Sequence, residues 1–235
     1  MSSDIGHPQV SIILPTYNER ENIPELFQGI DASLSGKWTY EIIVVDDNSP
    51  DGTAGAVRRL ADLYPLVSLL ERPHKSGLAS AVAAGFNVAK GEHWVMMDAD
   101  LSHRPDDLPK LLQGLAQADI VVGSRYVEGG RILRWPLRRR VTSRLASAFA
   151  RLWLNLSVRD VTSGFVAFRK ETIAPLLPSL RPKGFKLLLE ILARARSAQV
   201  VEVPIVFVDR RRGRSKFAVR EVVAFLSLCL QLRRL

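Results

Sequence analysis

Two carboxylates, Asp98 and Asp100, stand one residue apart directly after the apolar run Trp94–Met97. The run reads as a short buried strand, and side chains two apart at a strand end share a face. The pair therefore offers two hard oxygen donors side by side, the ligand type that Mg²⁺ or Mn²⁺ prefers. Such an ion commonly completes its shell with substrate phosphate. A solvated turn after a strand would carry the same Asp-x-Asp pattern. The choice between the two readings rests on what else the chain brings alongside.

Three further polar clusters each close an apolar run. Pro15-Thr16-Tyr17-Asn18-Glu19 follows Gln9–Leu14, Asp46–Gly52 follows Glu41–Val45, and Gly123-Ser124-Arg125-Tyr126 follows Ile120–Val122. Pro15 is expected to end the first strand, and another strand is predicted over Val67–Leu70. Helices are predicted from Asn18 or Glu19 to about Leu34, and over Thr53–Leu63, Ser76–Ala89 and Pro105–Ala116. Continuous apolar strands alternating with helices predict an α/β fold, a mostly parallel central sheet with helices on both faces. Ligands of such sheets bind at the carboxyl ends of the strands. All four polar clusters fall there, which makes four unrelated polar loops a poor account of them.

The charge is split along the 235 residues. Residues 1–120 hold nine Lys+Arg against 17 Asp+Glu, a balance of −8, and residues 121–235 hold 24 against 7, a balance of +17. A basic half of this kind attracts nucleotide phosphate, nucleic acid or anionic lipid. Its predicted elements are a helix over Arg138–Leu156, a strand over Val166–Phe168, a helix from Lys170 and a helix over Gly184–Ala198. A strand-like run over Val200–Val208, broken by Pro204, is assigned to a sheet edge. A cationic loop, Asp209–Lys216, leads into a final helix, Phe217–Leu235. The Arg138–Leu156 and Phe217–Leu235 helices combine aliphatic residues with flanking arginines. They could lie on a membrane surface or dock on the protein's own core. Cys229 is the single cysteine, which excludes a disulfide framework. Met1–Pro8 lacks the apolar run of a signal peptide, and no stretch approaches the ~20 apolar residues of a membrane span. The expectation is a cytoplasmic protein, peripheral on the cytoplasmic face of a membrane, built as a single domain. Residues 9–130 would form its half with the metal-type carboxylates, and 131–235 its basic, membrane-facing half.

The motifs PTYNE (15–19), VVDDNSPDGT (44–53), MDADLSH (97–103), GSRYVEGG (123–130) with Trp135, TSGF (162–165), EVPIVFVDR (202–210) and RSKF (214–217) occur in this order. In this order they resemble the family 2 GT-A glycosyltransferases, and among them the dolichyl-phosphate (polyprenol-phosphate) mannose synthases, from about residue 9 to residue 225. The resemblance implies a Rossmann-like GT-A domain with C-terminal interfacial amphipathic helices. It implies inverting transfer of mannose from GDP-mannose to a polyprenyl monophosphate, with UDP-glucose or UDP-GlcNAc as the alternative donor. Pro15, Tyr17, Glu19, Val44 and Asp46 would hold the guanosine, and Asp98, Ala99 and Asp100 the diphosphate through Mg²⁺ or Mn²⁺. Arg125, Arg139, Arg210 and Lys216 would surround the donor and acceptor phosphates. Ser102 stands where many relatives carry a Gln ligand and is expected to reach the metal through water. The loop DRRRGRSK replaces a usual DRVYGESK, and Leu188-Leu189-Glu190 keeps only the Glu of a Gln-x-Glu pattern. His103 is expected to support the site; no general base is assigned. Many relatives add a membrane-spanning C-terminal domain; here attachment would rest on the interfacial helices or on a small anchoring subunit. Nucleic acid is set aside as a partner, because the basic residues interleave with aliphatic rather than aromatic ones and no recognition motif appears.

Overall fold

The computed structural model describes residues 7–64, 66–180, 186–209 and 219–233. The first half alternates as expected: β1 (Val10–Thr16), α1 (Ile23–Leu34), β2 (Tyr40–Asp46), α2 (Thr53–Ala61), β3 (Val67–Glu71), α3 (Leu78–Val88), β4 (His93–Met96), α4 (Leu108–Gly114) and β5 (Ile120–Ser124). A 3-10 turn at Pro105–Asp107 precedes α4. The second half runs β6 (Arg131–Leu133), α5 (Leu137–Leu154), β7 (Val166–Arg169), α6 (Lys170–Ile173), α7 (Leu187–Arg194), β8 (Val200–Pro204), β9 (Val206–Val208) and α8 (Val219–Leu232).

Among the described residues the main sheet has seven strands in the order β3-β2-β1-β4-β7-β5-β8. Only β7 runs antiparallel, pairing β4 on one side and β5 on the other. Alternate strand residues feed two cores. Ile13, Ile43 and Met96 pack on one face with Phe86 of α3, Leu154 of α5, Leu189 of α7 and Cys229 of α8. Ile12, Ile42 and Val95 pack on the other with Phe27 of α1, Val57 of α2 and Leu111 of α4. A strand buried on both faces needs no polar alternation, which is why these strands read as unbroken apolar runs.

The structure corrects several boundaries. Strand β1 continues through Pro15 to Thr16, paired with β2 as far as Asp46. Met97 donates its N–H to Ile13, the last β1 position to meet β4, so Pro15 faces a side where the ladder has already ended. Its missing N–H therefore costs no bond. The helix expected from Lys170 gives way after Ile173 to a 3-10 segment, Ala174–Ser179, that contains Pro175 and Pro178. Helix α7 ends at Arg194, four residues short of the expected Ala198. The run at 200–208 is two strands: β8 pairs β5 at the sheet edge, while β9 pairs β6 in a separate two-stranded sheet. Strand β6 has no counterpart in the sequence reading; three residues with both termini exposed carry little periodic signal.

Candidate active site

The ends of β1 and β2 are sewn together by side chains. Asp46 is buried and accepts hydrogen bonds from Thr16 Oγ1 at 2.9 Å, Ser49 Oγ at 2.6 Å and the Ser49 N–H at 2.9 Å. The main-chain N–H groups of Asn18, Glu19 and Arg20 donate to Ser49 Oγ, Thr53 Oγ1 and Asp51 Oδ2 at 3.0, 3.0 and 3.1 Å. These bonds hold the segment against the neighbouring loop, and Asn18 has φ 64°, outside the helical region; α1 begins at Ile23 rather than at Asn18 or Glu19. Burial would raise the Asp51 pKa. Hydrogen bonds from Thr53 and Arg20 outweigh it and hold the carboxyl below its usual value.

Tyr17 is exposed above this seam, with Lys75 Nζ 3.3 Å from its ring centroid. The Lys75 loop is fixed by buried Asp47, which pairs with Arg72 and accepts the N–H groups of Ser76 and Gly77 at 3.1 and 3.2 Å. Pro15 and Glu19 are half-buried, and Glu19 accepts from Asn22 Nδ2 at 2.6 Å. Val44 and Ala99 are buried in the core of one sheet face, so they shape the strand ends instead of facing solvent.

Asp98 and Asp100 follow β4, beside these loops. His103 Nε2 lies 3.3 Å from Asp98 Oδ2, and its ring is buried against Phe165 and Phe207, both at 5.1 Å. Asp100, 8% exposed, accepts the Ser102 N–H at 3.0 Å across Leu101, which has φ 60°. A Cβ on Gly164 would come 2.8 Å from Asp98 Oδ2, so any larger residue there would require that carboxylate to shift. Ser102 Oγ is buried and has no hydrogen-bond partner among the described residues. Two carboxylates plus an unpartnered hydroxyl form an all-oxygen donor set that fits a hard divalent ion. Among the described residues no cluster of three His, Cys, Asp or Glu closes a metal shell, so ligand and water oxygens would complete it.

The third part lies at the end of β5. Arg125 is buried and clamped by wholly buried Asp160, Nε to Oδ2 and Nη2 to Oδ1, both at 2.7 Å. Its Nη2 also donates to Thr162 Oγ1 at 3.1 Å. Burial alone would lower the Arg125 pKa; the Asp160 carboxylate reverses this, with a further contribution from Asp98, and the group stays cationic. The guanidinium lies 5.3 Å from each of the Tyr126, Trp135 and Phe207 rings. Arg139 stacks 3.9 Å over Trp135 and pairs with Asp209 at 2.9 Å. Arg210 and Lys216 lie outside the described residues.

The segment from Asp160 to Phe165 joins the metal-type carboxylate to the arginine. Asp160 and Thr162 hold Arg125, Ser163 Oγ donates to the Gly123 carbonyl at 2.7 Å, Gly164 abuts Asp98 and Phe165 packs His103. Asp160 escaped the sequence reading. The available signal was its position two residues before TSGF, together with the carboxylate that a buried arginine requires.

The family model described as glycosyl transferase family 2 matches residues 11–176. The chain belongs to glycosyl transferase family 2. Among its relatives in that family, a dolichol-phosphate mannosyltransferase of Pyrococcus furiosus is 45% identical over 93% of this chain, and the match spans 62% of that protein's own length. A polyprenol monophosphomannose synthase of Mycolicibacterium smegmatis is 39% identical, over 88% of this chain and 80% of the relative. An undecaprenyl-phosphate mannosyltransferase of Micrococcus luteus is 38% identical, over 89% of this chain and 88% of the relative. The fold also matches a mannosyltransferase from Pyrobaculum calidifontis solved with GDP-Man and Mn²⁺. Its TM-score is 0.66 at 23% identity, covering 97% of this chain and 63% of that one. This glycosyl transferase family 2 chain thus has the mixed α/β architecture of its solved neighbours, with the polar loops of four strands at one sheet edge.

Proposed function

We propose that the chain transfers mannose from GDP-mannose to a polyprenyl monophosphate, giving polyprenyl-phosphate mannose and GDP with inversion at the anomeric carbon. The observation that carries this reading is the single short segment, Asp160–Phe165, that packs on both Asp98 and Arg125 and so sets an oxygen-donor site beside a clamped guanidinium. Relatives 38–45% identical and named for mannosyl or monophosphomannose chemistry support the substrate class.

In this reading Pro15, Tyr17, Glu19 and Asp46 form the nucleoside end. Tyr17 offers a ring face for the base, the carboxylates accept from base or ribose, and Val44 supports them from beneath. Asp98 and Asp100, with Ser102 through water and Ala99 between them, would hold Mg²⁺ or Mn²⁺. Such an ion offsets the negative charge that grows on departing GDP. Arg125 and Arg139 face the phosphates of donor and acceptor, which repel one another unless cations intervene, and Arg210 and Lys216, outside the described residues, are assigned the same role by their motifs. The attacking phosphate oxygen is already ionised near neutral pH, since a phosphate monoester has its second pKa near ~6. No protein group is required to take a proton from it.

A lipid surface is the proposed second partner, met from the cytoplasmic side with or without an anchoring subunit. Helix α5 buries Ser147, Ala150 and Leu154 and turns its other three leucines outward, with Leu137, Leu145 and Leu152 being 74%, 65% and 76% exposed. Arg138, Arg144 and Arg151 lie on the same helix, and the combination suits an anionic interface.

A donor panel tests the reading: GDP-mannose, UDP-glucose and UDP-GlcNAc, each with citronellyl phosphate, with and without chelator. GDP release that needs both the lipid phosphate and Mn²⁺ or Mg²⁺ is the expected result. Turnover of UDP-glucose or UDP-GlcNAc in place of GDP-mannose would install the alternative donor, and transfer that survives chelation would remove the metal from the scheme.

A further inference from the structure

Arg125 has little net charge to give. Asp160 takes its Nε and Nη2 at 2.7 Å and its main-chain N–H at 3.0 Å, so from the cleft the pair, its carboxylate wholly buried, is nearly neutral. What remains is Nη1, which makes no hydrogen bond among the described residues, on a side chain still 7% exposed. A planar guanidinium held along one edge cannot rotate, so its remaining donors point in a fixed direction. The holder is itself held. Glu202 on β8 accepts the main-chain N–H groups of Arg159 and Asp160 at 2.7 and 3.0 Å. Three segments of the chain thereby fix a single nitrogen.

We propose that Asp160 is a positioning residue for the transfer: it turns Arg125 from a mobile charge into an oriented donor whose free edge meets an anionic phosphate oxygen. The proposal rests on the phosphate role given to Arg125 above. It differs from a purely structural ion pair, which stabilises the fold without affecting turnover. It also shifts the work of attracting anions onto the other cations of the site, because Asp160 cancels the charge of Arg125.

The experiment is a double-mutant cycle in the full chain with Asp160→Asn, Arg125→Gln and the pair. It reads kcat, KM for citronellyl phosphate, Kd for GDP with Mn²⁺, and Tm. Asp160→Asn is expected to lower kcat about tenfold to a hundredfold, the scale of a lost charge-assisted hydrogen bond, while the GDP Kd moves less than about twofold. In the Arg125→Gln background the same change is expected to alter kcat by less than about twofold, because Asp160 then has nothing to aim. If Asp160→Asn does not fold, Asp160→Glu keeps the charge, displaces the carboxylate by one methylene and carries the same cycle. Additive losses, or an Asp160 variant with wild-type kcat, overturn the proposal. If the wild type prefers a UDP-sugar, the donor reading falls and the cycle is run on that donor. If no donor is turned over, the Arg125 Nε–H nuclear magnetic resonance signal decides. A shift on adding citronellyl phosphate that Asp160→Asn abolishes supports the positioning role, and a wild-type signal that does not move overturns it.

Discussion

At the scale of single residues the site depends on a few atoms with no slack. Gly164 gives the sharpest case, since a Cβ there would stand only 2.8 Å from Asp98 Oδ2. Gly164→Ala is predicted to push that carboxylate aside and lower kcat by about a hundredfold, the usual scale for a misplacement near 1 Å. A circular dichroism melt alongside the rate should show the fold retained. Asp100→Asn keeps the shape of the side chain and removes its charge; turnover should fall to background with Tm within a few degrees, and a near-wild-type rate would remove Asp100 from the metal role. These residues were legible in the sequence because their chemistry shows in their type and local spacing. Asp160 was not, because its meaning comes from Arg125, 35 positions away along the chain. Val44 is a different case: it belongs to a motif, and its side chain is buried in the core.

At the scale of elements, the presence of each central strand follows from its hydrophobic run, while helix starts depend on backbone turns set by contacts with distant loops. The α1 start shows this, as residues 18–20 are bonded to Ser49, Thr53 and Asp51 and Asn18 has φ 64°. Asp51, one residue ahead of Gly52, the N-cap of α2, also accepts the Thr53 N–H at 2.9 Å. Asp51→Ala is predicted to cost about 1 kcal/mol in a urea melt at neutral pH. The sign with pH follows from its lowered pKa. A carboxyl whose folded pKa is depressed contributes fully above its unfolded value near ~3.9 and loses that contribution as pH falls through the folded value. The gap between wild type and Asp51→Ala should therefore be widest above about pH 4 and close in acid. The division at Pro204 was half legible. Proline marked an interruption and an edge, but only the pairing of β9 with β6 shows that the chain leaves one sheet for another there.

At the scale of the molecule, the two candidate interfacial helices behave differently. Helix α8 docks on the core through Phe225, Cys229 and Leu232, and Trp153 of α5 donates to the Cys229 carbonyl at 3.2 Å. Its Leu226 and Leu230 remain exposed, while Phe217, Val222 and Val223, counted with its apolar face in the sequence, lie outside the residues whose side chains are described. Burial pushes the Cys229 thiol pKa up. The folded protein should therefore resist iodoacetamide at neutral pH and react only in denaturant, as read by mass spectrometry. Labelling in the presence of anionic vesicles would mean that α8 leaves the core to meet lipid. Helix α5 makes the complementary case. Leu145→Glu with Leu152→Glu removes two exposed apolar side chains from the proposed contact. The change should weaken sedimentation with anionic vesicles by about tenfold or more, at unchanged Tm and unchanged GDP binding. Among the described residues no helix is long and apolar enough to cross a bilayer. That much was readable from run lengths; which face of α5 turns outward was not, because its inward side, Ser147, Ala150 and Leu154, is hardly more apolar than its outward one.

The reversed direction of β7 has a consequence for how such an enzyme can change. A strand running against its neighbours begins where they end, so the stretch leading into β7 arrives at the working rim between β4 and β5. A handful of residues there lies against both Asp98 and Arg125 while, among the described residues, joining its main chain to the sheet's only at its last member, where the Phe165 carbonyl accepts the Gly123 N–H at 2.9 Å. That stretch is the natural cassette for directed evolution: it can be exchanged to suit a bulkier sugar or a different leaving group while the frame beneath it stays as it is.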